Sequence, residues 1–146
     1  MKSYVTATAA LFCMAAPALA DGHASGDVAS GEKAFRQCKS CHMVQDDAGE
    51  TIVKGGKTGP NLYGILGRKA GAVEDFRYSD LIMSAGEKGL EWDEESFVAY
   101  TQDPTGWLKE YTGEDGRGKM TYKARKEEDV VDIWAYLASV GPESGS

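Results

Sequence analysis

The sequence predicts an all-α protein of helices and long loops, and three observations support this fold class. The chain of 146 residues has no internal repeat and no sustained period-two alternation, so an extended sheet is not expected. Its C-terminal part carries the clearest amphipathic helix pattern. Between residues 43 and 78, glycines interrupt every periodic pattern, which predicts one long loop. A loop of this length is uncommon in a compact domain, so something other than helix and sheet should fill the interior.

Residues 1–20 have the features of a cleaved secretory signal peptide. Lys2 lies near the start, an apolar run covers residues 7–14, and Ala18-Leu19-Ala20 is a small-residue cleavage site. No later stretch approaches the about 20 apolar residues of a transmembrane helix, so we expect an exported soluble protein without stable membrane insertion. An uncleaved segment that anchors the chain is the alternative.

We expect residues 21–146 to form a single domain, with a flexible tail over residues 21–29. Removal of residues 1–20 takes away one lysine and one of three cysteines. The net charge then changes from −7 to −8, and only Cys38 and Cys41 remain. This acidic balance disfavours nucleic acid as a partner.

Two helices are expected at the ends of the domain. Ser30 is a suitable N-cap for a helix that runs to about Cys41. The last helix has acidic residues in its first turn and ends at Gly141-Pro142. We expect the two helices to pack together, with Gly31 as a small contact point. The acidic residues are Glu127, Glu128 and Asp129, the apolar face is Val130, Ile133, Trp134 and Leu137, and the bulky contacts are Phe35, Trp134 and Tyr136.

Two shorter helices are expected between these two. One covers residues 79 to about 85, where Gly86 stops it. The other is capped by Asp93 and reaches about residue 102. Asp103-Pro104 ends it, because a residue before proline disfavours the helical conformation.

The motif Cys38-Lys39-Ser40-Cys41-His42 indicates covalent haem attachment. Cysteines three residues apart on a helical turn lie on one face, where their thiols can add to the two vinyl groups at one haem edge. His42 can then ligate the iron. A redox-active dithiol would be expected beside a βαβ pattern, which the sequence lacks. A zinc site needs about four ligands, and the only other histidine or cysteine after residue 20 is His23. Both are the weaker alternatives.

The ligand on the other side of the iron decides between electron transfer and ligand binding or catalysis. Met43 is adjacent to His42 and cannot reach the opposite face, and Met83 lies in a predicted helix, where methionine is usually core filler. Met120 lies in a polar, glycine-rich stretch in which packing requires no thioether, so we favour it as ligand over simple surface exposure. A Met/His pair raises the reduction potential and predicts reversible one-electron transfer.

With these residues, the chain resembles the class I c-type cytochromes, and among them the large bacterial carriers of the c2 or c-550 type. The resemblance covers nearly all of residues 30–140. It implies the class I cytochrome c fold, in which N- and C-terminal helices cross and short helices and long loops wrap around one covalent haem c. The most specific segments are residues 31–35, 57–62, 67–69, 76–80, 90–92, 119–121 and 134–137.

The resemblance also implies roles for individual residues. Cys38 and Cys41 would bind the haem covalently, and His42 and Met120 would be the axial iron ligands. The carbonyl of Pro60 would hold the His42 imidazole, a contact that fixes the tautomer and makes the other ring nitrogen a better ligand.

Four further side chains are implied in the haem pocket. Tyr78 and Trp92 would donate to a haem propionate, with Arg68 nearby, because an unpaired charge is costly to bury. Tyr100 would lie near the Met120 sulfur. From the residues alone, core packing is the simpler role for each of these aromatic side chains.

Three departures from the family pattern bear on the pocket. Ile82 stands where many relatives have asparagine, which removes a polar contact. Gly118 replaces a threonine and removes a hydroxyl near a propionate. Residues 105–118 are longer than in the short members, so the loop that carries Met120 is expected to pack differently.

The distribution of charge predicts a docking face. Basic residues surround the haem motif and Met120, whereas most acidic residues lie elsewhere, with Glu114 and Asp115 as exceptions. We expect a monomer whose basic face binds membrane redox complexes transiently, through weak and salt-sensitive association. A solvated mixed surface is the alternative. The basic face consists of Lys39, Lys57, Lys119, Lys123 and Lys126.

The predicted function is that of a periplasmic electron carrier and not of an enzyme. Its partners would be membrane redox complexes, for example a cytochrome bc complex and a photosynthetic reaction centre, oxidase or reductase. The alternative is a haem-based ligand-binding protein or peroxidase with an open sixth coordination site. A peroxidase would also require a distal acid or base, and the only other histidine is His23. A third possibility is a domain of a respiratory complex that residues 1–20 anchor.

Overall fold

The computed structural model of the chain describes residues 24–142. The predicted signal peptide and His23 lie outside these residues. Helices dominate the described part, as the sequence predicts, and a short antiparallel hairpin accompanies them. No helix within it is both long and apolar enough to cross a membrane. The elements are α1 Val28–Ala34, a 3₁₀ turn Phe35–Gln37, β1 Val44–Gln45, β2 Thr51–Val53, α2 Asp80–Glu87, α3 Glu94–Gln102, α4 Pro104–Thr112 and α5 Glu127–Val140.

Helix α1 begins earlier than predicted. Its N-cap is Asp27 and not Ser30, because the Asp27 carboxylate accepts a hydrogen bond from the Ser30 backbone N–H at 2.7 Å. The preceding residues are also anchored: the Ser25 N–H donates to Glu94 at 2.7 Å, and the Asp27 N–H donates to Asp132 at 2.7 Å. Residues 28 and 29 of the predicted tail thus belong to α1, and residues 25 and 27 are hydrogen-bonded to α3 and α5, while residues 21–23 lie outside the described part.

Helices α1 and α5 pack against each other, as predicted, and Gly31 lies at their contact. Gly31 is buried, and a methyl group there would overlap the Asp132 carbonyl and lie 2.9 Å from Cβ of Tyr136. The Phe35 ring contacts that of Tyr136, with centroids 5.6 Å apart. The Trp134 ring instead contacts that of Phe97 of α3, with centroids 5.0 Å apart and planes inclined by 43°. The C-terminal helix thus joins α1 on one side to α3 on the other.

Helix α2 starts at the predicted cap but continues past the predicted stop. The Ser79 hydroxyl accepts a hydrogen bond from the Ile82 N–H at 3.4 Å. Gly86 is inside the helix and buried, and a methyl group there would overlap the Ala70 carbonyl. The glycine therefore permits a close backbone approach. The helix ends one residue later, ahead of Gly89, whose φ is +94°.

Helix α3 has the predicted start and end, with Asp93 and Ser96 forming a reciprocal cap. Helix α4 was not predicted. Asp103 ends α3 and also caps α4, and Pro104 occupies the first turn, where its missing N–H costs nothing. The Asp-Pro pair was thus interpreted only as a stop signal, although it also starts a helix.

The long loop between the haem motif and α2 contains the hairpin, which the sequence did not predict. Val44 pairs with Val53 and Gln45 with Thr51, so the strands are too short for a visible alternation. The rest of the loop is irregular. It is fixed by turns and by an isolated antiparallel β-bridge between the backbones of Lys69 and Glu91. Together, these segments enclose the space between the Cys38–His42 turn, α3 and the stretch that follows α4.

Candidate functional site

A cavity of about 230 Å³ opens beside the Cys38–His42 turn and holds every sequence-predicted site residue. Its walls are mainly apolar, and they come from the haem motif, the long loop, α2, α3, the segment after α4, and α5. The predicted residues that line it are Cys38, Cys41, His42, Pro60, Arg68, Tyr78, Trp92, Tyr100 and Met120. Residues from distant parts of the chain therefore converge on one space.

The two cysteines lie on one helical turn. The Cys41 and His42 N–H groups both donate to the Cys38 carbonyl, at 3.1 and 2.9 Å. Neither thiol is in a disulfide. Burial, together with the nearby Cys41, raises the pKa of the Cys38 thiol to about 11, while hydrogen bonds from Thr58 and Ser40 lower the pKa of Cys41. Within residues 24–142, no three His, Cys, Asp or Glu side chains cluster as a metal site, so the zinc alternative gains no support.

The orientation of the His42 imidazole is determined by Pro60 and Gly59. Nδ1 of His42 lies 2.8 Å from the Pro60 carbonyl, and a carbonyl can only accept, so Nδ1 carries the proton. Nε2 is then the basic nitrogen. Desolvation lowers the pKa of His42, which favours the neutral ring that a metal requires. The absent side chain of Gly59 makes room for the ring, because a methyl group there would overlap it.

Met120 reaches the cavity from a segment that several hydrogen bonds hold. The Gly118 N–H donates to the Thr105 hydroxyl at 3.1 Å, and Nζ of Lys119 donates to the Arg77 carbonyl at 2.7 Å. Further along, the Ala124 N–H donates to the Thr101 carbonyl at 2.9 Å. The thioether therefore projects from a backbone that is fixed on both sides.

The other two methionines of residues 24–142, Met43 and Met83, do not line the cavity. Met83 is 44% exposed, so its interpretation as core filler is wrong. It lies on the outer face of α2, beside Gly71, and the buried positions of that helix are Leu81, Ile82, Ala85 and Gly86. Because Met83 is exposed on the outer face of α2, Met120 is the methionine that lines the cavity within residues 24–142.

The Arg68 guanidinium is held by main-chain carbonyls. It donates to Tyr63 at 2.8 Å and to Asn61 at 3.0 Å, which uses two of its five N–H groups. The Arg68 carbonyl also accepts a hydrogen bond from the Trp92 N–H at 3.0 Å, so these two cavity residues are aligned by one backbone contact. The pKa of Arg68 is lowered by burial, yet an arginine remains charged.

Two tyrosines complete this wall. The Tyr78 hydroxyl accepts a hydrogen bond from the Val73 N–H at 3.3 Å, which leaves its own proton available for donation. Tyr100 packs on Trp92 with ring centroids 5.0 Å apart, and burial raises the pKa of Tyr100 to about 12. Ile82 also lines the cavity and is buried, so an apolar contact replaces the polar one.

Several lining residues were not singled out from the sequence. Thr58 lies two residues before Pro60, and Tyr122 lies two residues after Met120. This proximity to predicted site residues was the only sequence signal that could have placed them at the cavity. The hydroxyl of Tyr122 donates to Gln37 at 2.8 Å, which links the Met120 segment to the haem motif. Phe76 belongs to the segment 76–80 and Ile133 to the predicted apolar face of the last helix, but neither was assigned to the cavity; Thr101 carries no local signal.

Comparison with known proteins agrees with this geometry. The family model described as cytochrome c matches residues 28–141, which is most of the chain. The chain belongs to the cytochrome c family. Cytochrome c2 of Rhodovulum adriaticum is 60% identical over 119 residues, which cover 80% of this chain and 94% of the relative. Cytochrome c-550 of Paracoccus versutus is 46% identical over all of this chain and 94% of the relative.

Solved structures of the cytochrome c family give the same result. A crystal structure of cytochrome c2 from Rhodobacter sphaeroides matches with a TM-score of 0.78 and 55% identity, over 80% of this chain and 98% of that one. The predicted class I cytochrome c fold of the c2 type is thus confirmed. Members of this type are electron-transfer proteins, not enzymes, and carry one covalently attached haem c.

Proposed function

We propose that this cytochrome is an exported, periplasmic one-electron carrier that shuttles between membrane redox complexes. Such complexes include a cytochrome bc complex and a photosynthetic reaction centre, oxidase or reductase. The observation that carries the proposal is the convergence of Cys38, Cys41, His42 and Met120 on one largely apolar cavity. These are two thiols for attachment, an oriented imidazole and a thioether.

Each of these four residues has a distinct task. Cys38 and Cys41 attach the haem through thioethers, and Nε2 of His42 ligates its iron while the Pro60 carbonyl holds Nδ1–H. Met120 supplies the second axial ligand. The bound haem supplies reversible one-electron chemistry, and a thioether ligand favours the ferrous state and raises the reduction potential.

The polar groups on the cavity wall would hold the haem propionates. Arg68 keeps three N–H groups beyond those that bind Tyr63 and Asn61, and Tyr78 keeps its hydroxyl proton. Trp92 can donate its indole N–H. These donors compensate a carboxylate that would otherwise be buried without a partner. Tyr100, which packs on Trp92 and lines the same cavity as Met120, would lie near the thioether.

The docking face would be basic even though the whole chain is acidic. All five lysines of the predicted face are exposed. The two acidic residues that seemed exceptional are paired with other lysines: Glu114 lies 3.3 Å from Lys88, and Asp115 lies 2.6 Å from Lys109. Their charges are therefore compensated locally. Complementary charge accelerates encounter with an acidic partner and leaves the complex short-lived.

Two members of the basic face are engaged within the protein. Lys123 forms an ion pair with Asp103 at 2.6 Å, and Lys119 donates to the Arg77 carbonyl at 2.7 Å. Replacing either by glutamate would disturb the Met120 segment as well as the surface charge. Lys57 and Lys126 form no ion pair among residues 24–142, so they are the better probes of docking.

The axial ligand is tested by the weak near-infrared charge-transfer band of ferric iron bound to a thioether. The wild-type protein should show this band, and Met120→Ala should lose it. Met83→Ala is the matched control and should keep the band, because Met83 is exposed and away from the cavity. Absence of the band in the wild type would indicate an open sixth position and hence ligand binding or peroxide chemistry.

The docking face is tested by charge reversal. Lys57→Glu with Lys126→Glu should slow electron transfer to an isolated membrane complex and flatten its dependence on ionic strength. The control combines Lys33→Glu and Lys54→Glu, which change the net charge equally and lie outside the cavity lining. Equal rates for the two double variants would refute the docking face without affecting the axial assignment.

A further inference from the structure

We propose that four aromatic side chains carry an oxidising equivalent from the haem cavity to the surface when the reduced protein meets hydrogen peroxide. Tyr111 would be the site of modification at the end of this route. The aromatic relay consists of Trp92, Tyr100, Trp107 and Tyr111. The inference goes beyond electron carriage and depends on haem in the cavity, but not on ligation by Met120.

Each ring of the aromatic relay lies next to another in space. Trp92 and Tyr100 line the cavity, with centroids 5.0 Å apart. Trp107 lies 6.3 Å from Trp92 and 6.1 Å from Tyr100, so it contacts both. Tyr111, one turn further along α4, stacks on Trp107 at 5.2 Å with ring planes inclined by 25°. It is 39% exposed. The relay therefore runs from the cavity wall to water.

The composition of the relay distinguishes it from the other aromatic contacts within residues 24–142. Each of the other ring pairs joins a tyrosine or tryptophan to a phenylalanine: Phe35 to Tyr136, Phe76 to Tyr78, and Phe97 to Trp134. Phenylalanine gives up an electron far less readily than tyrosine or tryptophan. Only the aromatic relay joins oxidisable rings continuously over this part of the chain.

Hydrogen peroxide is the oxidant in this reaction, and ferrous iron and Tyr111 are the reductants. Reduction of one hydrogen peroxide to two waters consumes two electrons and two protons. One electron comes from ferrous iron, which becomes ferric. The second comes from the Tyr111 phenol through Trp107, and the phenol proton is released to water, leaving a neutral tyrosyl radical; solvent supplies the remaining proton. Two such radicals on different molecules couple through a carbon–carbon bond to give dityrosine.

The relay does not take part in ordinary electron carriage. A Met/His couple is too weak an oxidant to remove an electron from tyrosine or tryptophan, whereas peroxide is strong enough. Without the relay, peroxide would react with a cavity side chain instead: the Met120 thioether would take one oxygen atom from hydrogen peroxide to give the sulfoxide and one water, a two-electron oxidation. The route thus protects the Met120 thioether at the expense of an exposed tyrosine.

The experiment treats the ferrous holoprotein with one equivalent of hydrogen peroxide in the presence of a nitroso spin trap. Mass spectrometry then locates the adducts, and fluorescence measures dityrosine in samples without the trap. We expect the adduct mainly on Tyr111 in the wild type. Trp107→Phe, which preserves an aromatic ring, should lose most of that adduct and gain Met120 sulfoxide.

Two further variants separate the relay from a structural effect. Trp107→Tyr restores an oxidisable ring and should restore the Tyr111 adduct, whereas Trp134→Phe alters a tryptophan outside the relay and should leave it unchanged. A Tyr111 adduct that is equally abundant in Trp107→Phe indicates direct attack from solvent and overturns the proposal. Adducts mainly on Tyr122 or Tyr78 of the wild type also overturn it. The absorption spectrum of each variant independently reports haem and its axial ligation.

Discussion

The Cα of Gly59 lies so close to the imidazole of His42 that a methyl group on residue 59 would overlap the ring. Nδ1 of the same ring donates to the Pro60 carbonyl at 2.8 Å. The imidazole is therefore held by one steric and one polar contact from consecutive residues. The two contacts explain why a Gly-Pro pair lies against the haem motif: glycine leaves room for the ring, and the proline carbonyl accepts its proton.

Gly59→Ala should displace the His42 ring. The backbone of Gly59 has no positive φ, so the added methyl group alone causes the effect. We expect the free energy of unfolding of the holoprotein to fall by about 1–3 kcal/mol, as for other overpacked sites. Thermal unfolding followed by circular dichroism measures this loss, and the absorption spectrum reports weaker axial ligation. Lys57→Ala, exposed in the same loop, should change stability by less than about 0.5 kcal/mol. Equal behaviour of the two variants would contradict the steric role.

Gly31→Ala should weaken the contact between α1 and α5. Alanine favours an isolated helix by up to about 1 kcal/mol over glycine. Here, however, the methyl group would overlap the Asp132 carbonyl, so we expect a net loss of about 1–3 kcal/mol. Denaturant unfolding shows directly whether the substitution raises or lowers the free energy of unfolding. Ser30→Ala, on the exposed face of the same helix, is the control and should have little effect. A higher free energy of unfolding in Gly31→Ala would contradict this, because it would mean that α1 and α5 move apart enough to accommodate the methyl group.

Asp27 should contribute a pH-dependent part of the stability. Hydrogen bonds from Ser30 lower the pKa of its carboxyl from the ordinary value of 3.8. Because the pKa is lower in the folded state, the contribution is fully present above this ordinary value and is lost as the pH falls through the folded value. Asp27→Asn retains a capping side chain and should flatten the decline of Tm with acid. The exposed Glu74→Gln serves as comparison. A decline as steep as that of the wild type would exclude this cap as its source.

Thr105 should help to keep Met120 in place. Its hydroxyl accepts the Gly118 N–H at 3.1 Å, so Thr105→Val leaves that donor without its partner. Loss of one hydrogen bond of about 0.5–1.5 kcal/mol should tighten the binding of added imidazole, which competes with Met120, by about two- to twelve-fold. Loss of the near-infrared band during titration gives the affinity. Thr105→Ser should restore the wild-type value, and Thr51→Val on β2 should not alter it. Unchanged imidazole affinity in Thr105→Val would mean that the other hydrogen bonds suffice.

The elements that were predicted well are those with complete local signals. Ser79 and Asp93 cap their helices, and the acidic first turn and apolar face of α5 are clear in the sequence. Errors arose where one residue serves two purposes. Asp103 ends α3 and caps α4, and Gly86 resembles a stop although it is required by the nearby Ala70 carbonyl.

The chemistry of the site could be predicted from the residues alone, because attachment and ligation require particular side chains at fixed spacing. Cys38, Cys41 and His42 lie on one turn, and short-range geometry suffices to predict their roles. Met120 was identified by elimination among few methionines. Met83 was set aside as the core filler of a predicted helix, a reason that its exposure contradicts.

Which side chains share a space depends on the packing of segments that are distant in the chain. Whether Met83 faces the core or water depends on which face of α2 is covered by other segments, and that information is not local. In the same way, Trp92, Tyr100, Trp107 and Tyr111 form a continuous relay only because α3 and α4 bring their rings together. Contacts between residues distant in sequence result from packing, whereas the chemical character of each residue is present before the chain folds.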